Sequence, residues 1–169
     1  MQLRSLLALT AFLTMSLFAS AEPLAVGATA PQVTGITETG ASLALADVYA
    51  QQPYTLVYFF PKADTPGCTA QGCSLRDAYE TLLKDGVAVI GVSTDKPEAQ
   101  KAFKEKYSLP FTLIADDSKT VVKAFGVPTT MGFAKRQAFL IKGGKIIWAD
   151  YSASTKQQAD DVLNVIAAQ

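Results

Sequence analysis

Apolar residues gather along this chain in two kinds of block. Tyr54-Thr55-Leu56-Val57-Tyr58-Phe59-Phe60 is a continuous β-branched and aromatic run, and Val87-Ala88-Val89-Ile90-Gly91-Val92 is a second. Runs without polar alternation predict strands buried on both faces. Between them Leu75, Tyr79, Leu82 and Leu83 recur at helical spacing. A helix is therefore expected from about 65–68 to 84, stopped by Gly86. Thr94 or Asp95 is placed to cap a further helix, with Pro97 in its first turn and its end near Tyr107. Residues 111–114 read as a short strand and 118–125 as a short helix. Residues 138–141 and 145–149 read as strands joined by a hairpin turn at Gly143-Gly144. Ala159, Val162, Leu163 and Ile166 give an amphipathic helix over 155–168. Residues 41–48 are weakly patterned, and 22–33 read as extended.

Strands thus alternate with helices, and a hairpin and a helix follow. This order predicts an α/β fold with a mixed central sheet flanked by helices, combining parallel crossovers with an antiparallel pair. A thioredoxin-like fold fits the order, which other α/β folds share in part. Without repeats, low-complexity stretches or long linkers, residues 22–169 are expected to form a single domain.

The first residues carry a different pattern. Arg4 is followed by an apolar run from Leu6 to Phe18, broken only by Thr10, Thr14 and Ser16. Ala19-Ser20-Ala21 then offers small residues in the spacing of a signal-peptidase site. Residues 1–21 are expected to be a cleaved signal peptide, which sends the protein to an exported compartment, best matched by a bacterial periplasm. A membrane anchor would need about 18 apolar residues, more than this run supplies. No Cys stands at the cleavage site for lipid attachment.

Composition narrows the chemistry. With 49% hydrophobic residues, 18% charged residues and a formal net charge of +0, the chain has no disordered signature. It also lacks a basic footprint for nucleic acid or an anionic membrane. The chain has two Cys and no His. Cys-His and Ser-His nucleophile pairs are thereby removed, along with the commonest transition-metal ligand. No metal, nucleotide, haem or other cofactor is expected, and the Gly143-Gly144 turn is too short to cradle phosphate. In an exported protein two Cys often form a structural disulfide, so that bland possibility competes with any catalytic one.

The segment from Phe60 to Cys73 decides between them. A buried strand delivers the chain to a loop rich in turn residues, Pro61 to Gly67, which presents Cys68 in the first turn of a helix. Free backbone N–H groups and the positive end of the helix dipole lie there and favour a thiolate. Cys73 follows five residues later. On an intact helix that offset is a rise of about 7.5 Å and a turn of about 140°, which sets the Cα atoms roughly 8.7 Å apart. An unstrained disulfide needs about 7 Å or less. A Cys68–Cys73 bond and a complete helix therefore exclude each other, which suits a redox switch better than a staple. Gly72 lies between the thiols and would ease unwinding there, or else permit a close packing contact.

Pro61, Thr65 and Cys68 stand in the spacing of the peroxiredoxin active-site motif, which this segment resembles. The match extends through Tyr58-Phe59-Phe60-Pro61-Lys62, Thr65-Pro66-Gly67-Cys68-Thr69, Cys73, Leu75, Arg76 and Asp77. It is similar in particular to the bacterioferritin-comigratory-protein or peroxiredoxin Q branch. Val26-Gly27, Ala30-Pro31, Gly91-Val92-Ser93-Thr94-Asp95, Phe125-Gly126-Val127, Met131-Gly132, Arg136 and Phe139-Leu140-Ile141 carry the resemblance to the rest of the chain. The stretch from Val127 to Arg136 is shorter than in many members.

The resemblance implies a thiol peroxidase for hydrogen peroxide and organic hydroperoxides. Cys68 would be the peroxidatic thiolate and Cys73 the resolving thiol, closing an intramolecular disulfide. Thr65 would set its hydroxyl on the thiolate and the peroxide oxygen, Pro61 would shield the sulfur from water, and Arg136 would stabilise the developing charge. Arg76 belongs to the match but is left outside the catalytic set. A thioredoxin-like or other exported dithiol protein would return the disulfide to thiols, and an intramolecular pair lets a monomer suffice. The competing functions are an exported thiol–disulfide oxidoreductase or carrier of thioredoxin-like fold, and a non-catalytic domain with a stapling disulfide. The four residues between the thiols, where carriers usually have two, weigh against the carrier. Trp148 is expected in the core, and Lys101, Lys104 and Lys106 on a solvated helix face.

Overall fold

The two long apolar runs lie side by side in the computed structural model, which describes residues 22–169. The expected signal peptide at 1–21 lies outside the described residues. β3 (Tyr54–Phe59) is buried at all six positions and pairs in parallel with β4 (Val87–Ser93), placing Leu56 opposite Val89 and Tyr58 opposite Gly91. β5 (Thr112–Ala115) continues the parallel half beyond β4. On the other side of β3 lie β8 (Gln137–Lys142) and β9 (Lys145–Asp150), both antiparallel to their neighbours. The order β5-β4-β3-β8-β9 is the expected mixed central sheet.

Alternate side chains of β3 feed two cores. Tyr54, Leu56 and Tyr58, with Phe60 just past the strand, point to a layer containing α2 (Pro66–Asp77), α3 (Tyr79–Lys84), α4 (Pro97–Tyr107) and α6 (Gln158–Ala167). Val57 and Phe59 point to the opposite layer, with α1 (Leu45–Gln51) and α5 (Thr120–Ala124). Burial on both faces is why these strands show no polar alternation. Cys68 belongs to the first layer, where it is packed with the aromatic side chains of β3 rather than set on the surface.

Several expected elements differ in detail. The helix read over 65–84 is two helices, broken at Ala78, whose backbone (φ −94°, ψ 2°) leaves helical geometry. The bend lets Leu82 enter the core while Tyr79 packs on Phe111 at 5.8 Å between ring centroids. Neither Thr94 nor Asp95 caps α4. Its N-cap is Lys96, which makes no side-chain cap bond, with Pro97 as the first helical residue.

Three small units escape the hydrophobic pattern because they are too short to show a period. They are the pair β1 (Thr34–Ile36) and β2 (Ser42–Ala44), the helix α1 that follows, and the hairpin of β6 (Thr129–Thr130) with β7 (Phe133–Ala134). Met131 and Gly132 turn the β6–β7 hairpin with positive φ of 52° and 89°. The Gly143-Gly144 turn between β8 and β9 has the same left-handed pair, 56° and 73°, as a primed hairpin turn demands.

Of the lysines of α4, Lys101 and Lys106 lie on the expected solvated face and Lys104 does not. Lys104 reaches the buried carboxylate of Glu38 on the loop after β1, which also accepts the Leu113 N–H at 3.0 Å. Lys106 pairs with Asp64 in the loop before α2. Trp148 is half-buried against the first core layer. No helix among the described residues is long and apolar enough to cross a membrane.

Candidate active site

β3 ends at Phe59, and the next residues must turn from the middle of the sheet to the start of α2. The turn is held from outside. The Ala63 N–H donates to Asp95 Oδ2 at 2.7 Å, and the same oxygen accepts the Ser93 hydroxyl at 2.7 Å. Gln100, wholly buried on α4, donates to Ser93 Oγ at 2.6 Å. Asp95 thus fixes the loop carrying Pro61 and Thr65 to the end of β4.

Thr65 is the N-cap residue of α2, and its carbonyl accepts the Thr69 N–H at 2.8 Å. Its side chain makes no cap bond. The hydroxyl donates instead to the Lys62 carbonyl at 3.0 Å. Pro66 follows as the first helical residue, where a missing N–H costs nothing. Gly67 and Cys68 then present free N–H groups in the first turn. Pro61 is half-buried at the mouth of the loop.

Cys68 is 1% exposed, and Arg136 reaches it across the fold. Arg136 Nη2 donates to Cys68 Sγ at 3.3 Å, while Nη1 donates to Gln71 Oε1. The planar fork of the guanidinium is therefore split between the thiol and a side chain one turn further along α2. Gln71 is itself fixed, since its Nε2 donates to Gln158 Oε1 at 2.8 Å, and both glutamines are buried. Gly67 leaves room for this arrangement. A Cβ there would stand 3.3 Å from Arg136 Nη2, closer than ordinary contact. Arg136 arrives from the short β6–β7 hairpin, which closes with the Lys135 N–H on the Pro128 carbonyl at 2.8 Å.

Tyr58 completes the wall beneath the thiol. Its hydroxyl is buried and makes no hydrogen bond to the protein. Burial first, and charge on Cys68 second, push this phenol far above its ordinary range, so it remains a neutral dipole. Cys73, on the same helix as Cys68, is half-buried, and both thiols are free. Of the two exclusive states, this is the one with α2 complete and the sulfurs apart. Among the described residues no three Cys, Asp or Glu side chains converge as metal ligands would.

The structure therefore gathers Cys68, Arg136, Thr65 and Pro61 at one helix start, with Cys73 further along that helix. Gln71, Gln158, Asp95 and Tyr58 belong to the same assembly; the sequence offered Asp95 only as a candidate helix cap and Tyr58 only as part of the strand and the resemblance, and it gave the two glutamines no role. A buried Gln is indistinguishable in sequence from a solvated one. The only signal was position, since Gln71 stands one turn from Cys68.

The sequence profile of the AhpC/TSA family matches residues 26–149. The chain belongs to the AhpC/TSA family. Within it, the chain is a peroxiredoxin of the Bcp and peroxiredoxin Q branch. It is 42% identical over 150 residues to peroxiredoxin Bcp of Escherichia coli, a match covering 84% of this chain and 95% of that one. It is 43% identical over 105 residues to the chloroplastic peroxiredoxin Q of Sedum lineare, covering 62% of this chain and 55% of that one. The crystal structure of peroxidoxin BcpB from Mycobacterium tuberculosis superposes with a TM-score of 0.79 at 28% identity, over 85% of this chain and 96% of that one. The fold is the thioredoxin-like α/β fold of these peroxiredoxins, and the activity that goes with membership is that of a peroxidase.

Proposed function

We propose that this peroxiredoxin reduces hydrogen peroxide and organic hydroperoxides by a cycle confined to one subunit. The observation that carries the reading is the Arg136 fork, with one nitrogen on Cys68 and the other on a buried glutamine of the same helix. A cation held in this way stabilises the thiolate and meets the charge that develops on the peroxide oxygens.

In the first step Cys68 sulfur attacks the terminal peroxide oxygen. The S–O bond forms, the O–O bond breaks, and the leaving oxygen takes a proton to depart as water or an alcohol. Cys68 becomes a sulfenic acid. The Thr65 hydroxyl, now donating to Lys62, has free lone pairs and would swing its proton toward the peroxide. Pro61 would keep bulk water from the sulfur. In the second step α2 unwinds between the thiols, Cys73 attacks the Cys68 sulfur, and the disulfide forms as hydroxide leaves and is protonated. A thioredoxin-like or other exported dithiol protein would then reduce the bond. Export to a periplasm through residues 1–21, and action as a monomer, complete the proposal.

The test is stopped-flow oxidation of the reduced protein by hydrogen peroxide, with intact mass read at each stage. Fast conversion to a species two hydrogens lighter is expected. A reaction no faster than that of an ordinary free thiol would end the reading.

Gly72 gives a second expected result. A Cβ at this position would meet Leu109 and Phe103 side chains at 3.4 and 3.5 Å, which is ordinary contact, so packing does not require glycine here. Gly72→Ala should stabilise α2 by about 1 kcal/mol and slow disulfide formation about fivefold. An unchanged rate of disulfide formation in rapid-quench mass measurements would show that Gly72 does not ease unwinding.

A further inference from the structure

Arg76 lies outside the chemistry described so far, yet its side chain is fully engaged. Nε and Nη2 both bind Asp77 Oδ1, at 2.8 and 2.7 Å, and Nη1 donates to the Tyr107 carbonyl at 2.8 Å. Tyr107 is the last residue of α4, and Ser108 beyond it turns left-handed. Its carbonyl is one of the helix-end acceptors left without an intrahelical donor, and Arg76 supplies the missing bond.

The same end of α4 touches the switching segment at two other places. Leu109 and Phe103 pack over Gly72. Before α2, Asp64 accepts Lys106 Nζ at 2.9 and 2.7 Å and the Tyr107 hydroxyl at 2.6 Å. The C-terminal turn of α4 therefore brackets α2, holding Asp64 ahead of Cys68 and Arg76 behind Cys73. On its other side α2 is tied through Ser74 Oγ to the Lys156 carbonyl at 3.0 Å and through Gln71 to Gln158. Of the ties beyond Cys73, the Arg76 bond is the charge-assisted one and hence the stronger.

We propose that Arg76 is a positioning residue for the resolving step: its bond to the Tyr107 carbonyl holds the end of α2 in place and limits how fast Cys73 can reach Cys68. The inference rests on Cys73 being the resolving thiol. The break at Ala78 gives it mechanical sense, because α2 can loosen from its C-terminal end without dragging α3 from the core. Cys73 and Arg76 are three residues apart on one helix face, so releasing the arginine releases the cysteine's own turn. In the step so controlled, Cys73 sulfur forms the S–S bond as the Cys68 S–O bond breaks and hydroxide leaves, so no outside oxidant is needed. A slow resolving step leaves the sulfenic acid exposed to a second peroxide, which would carry it to sulfinic acid. Arg76 therefore also sets the peroxide level at which the enzyme inactivates itself.

The test compares Arg76→Met and Asp77→Ala with the native chain. Reduced protein is mixed with one equivalent of hydrogen peroxide and quenched with a sulfenic-acid trap, and intact mass gives both steps. Arg76→Met should speed conversion of sulfenic acid to disulfide about three- to tenfold, as loss of a partly exposed charged hydrogen bond requires. Oxidation of Cys68 should stay within about twofold of native, since Arg76 does not touch that sulfur. Asp77→Ala, which frees the arginine from its orienting partner at an exposed position, should shift the same step in the same direction by about twofold. Under excess peroxide both variants should accumulate less sulfinic acid. An unchanged or slower resolving step in Arg76→Met, with disulfide still forming in the native chain, would overturn the clamp alone. No disulfide in the native chain would overturn both the clamp and the assignment of Cys73.

Discussion

Cys68→Ser is expected to bring peroxide consumption down to the level of buffer, with the fold intact. Serine is nearly isosteric, and the buried site that holds the thiol is built by Arg136, Gln71 and the first turn of α2, none of which depends on sulfur. What is lost is the nucleophile. A serine hydroxyl offers almost no anion at neutral pH, and its oxygen is a far weaker nucleophile than sulfur. Cys73→Ser should behave differently. It should consume one equivalent of peroxide at the native rate and then stop, held as a sulfenic acid that a trapping reagent labels. The pair of variants separates the two roles in one experiment, read as peroxide remaining and as intact mass. Native consumption in Cys68→Ser would remove it as the nucleophile. Full turnover in Cys73→Ser with the same reductant would show that resolution comes from elsewhere.

The second large effect is expected at Arg136. Arg136→Met should lower the second-order rate constant for peroxide by about 10²–10³, the usual cost of losing a preorganised donor at developing charge. Removing the guanidinium also leaves Gln71 Oε1 without its partner, so some loss of stability should accompany it. Thermal unfolding of the same sample separates that loss from the kinetic one. Arg136→Lys should recover only part of the rate. An ammonium is one point charge and cannot hold the thiol and the glutamine at once, as the planar fork does. A drop of less than about fivefold in Arg136→Met would mean that the contact with Cys68 does not carry the chemistry.

The strands and most helices were legible because apolar runs and the 3.6-residue period report burial directly. Tyr54 to Phe60 could be read as a doubly buried strand, and all but its last residue form β3 at the centre of the sheet. The break at Ala78 was not legible, since it answers to Phe111 and the core rather than to any local stop signal. The expected cap at Thr94 or Asp95 is not formed, and for Asp95 the reason is related. A carboxylate before a helix will cap it unless a stronger donor is near, and here the Ala63 N–H and the Ser93 hydroxyl take that role. Lys104 looked like part of a solvated face because its buried partner, Glu38, lies 66 residues away in the chain.

The chemistry divides along the same line. Sequence alone determined that a thiol follows a buried strand and a turn-rich loop, that it starts a helix, and that a second thiol stands five residues beyond it. Each of these is set by neighbours along the chain, and the disulfide conflict follows from helix geometry alone. Only the tertiary structure decided what faces the thiol. Arg136 comes from 68 residues away to split its fork between Cys68 and Gln71, and Gln158 steadies Gln71 from 87 residues away. It also decided how α2 is held, through Tyr107 and Asp64 at either end. Hydrogen-bond partners of buried polar groups are chosen by the packing of distant elements, and no local pattern of residues encodes that choice.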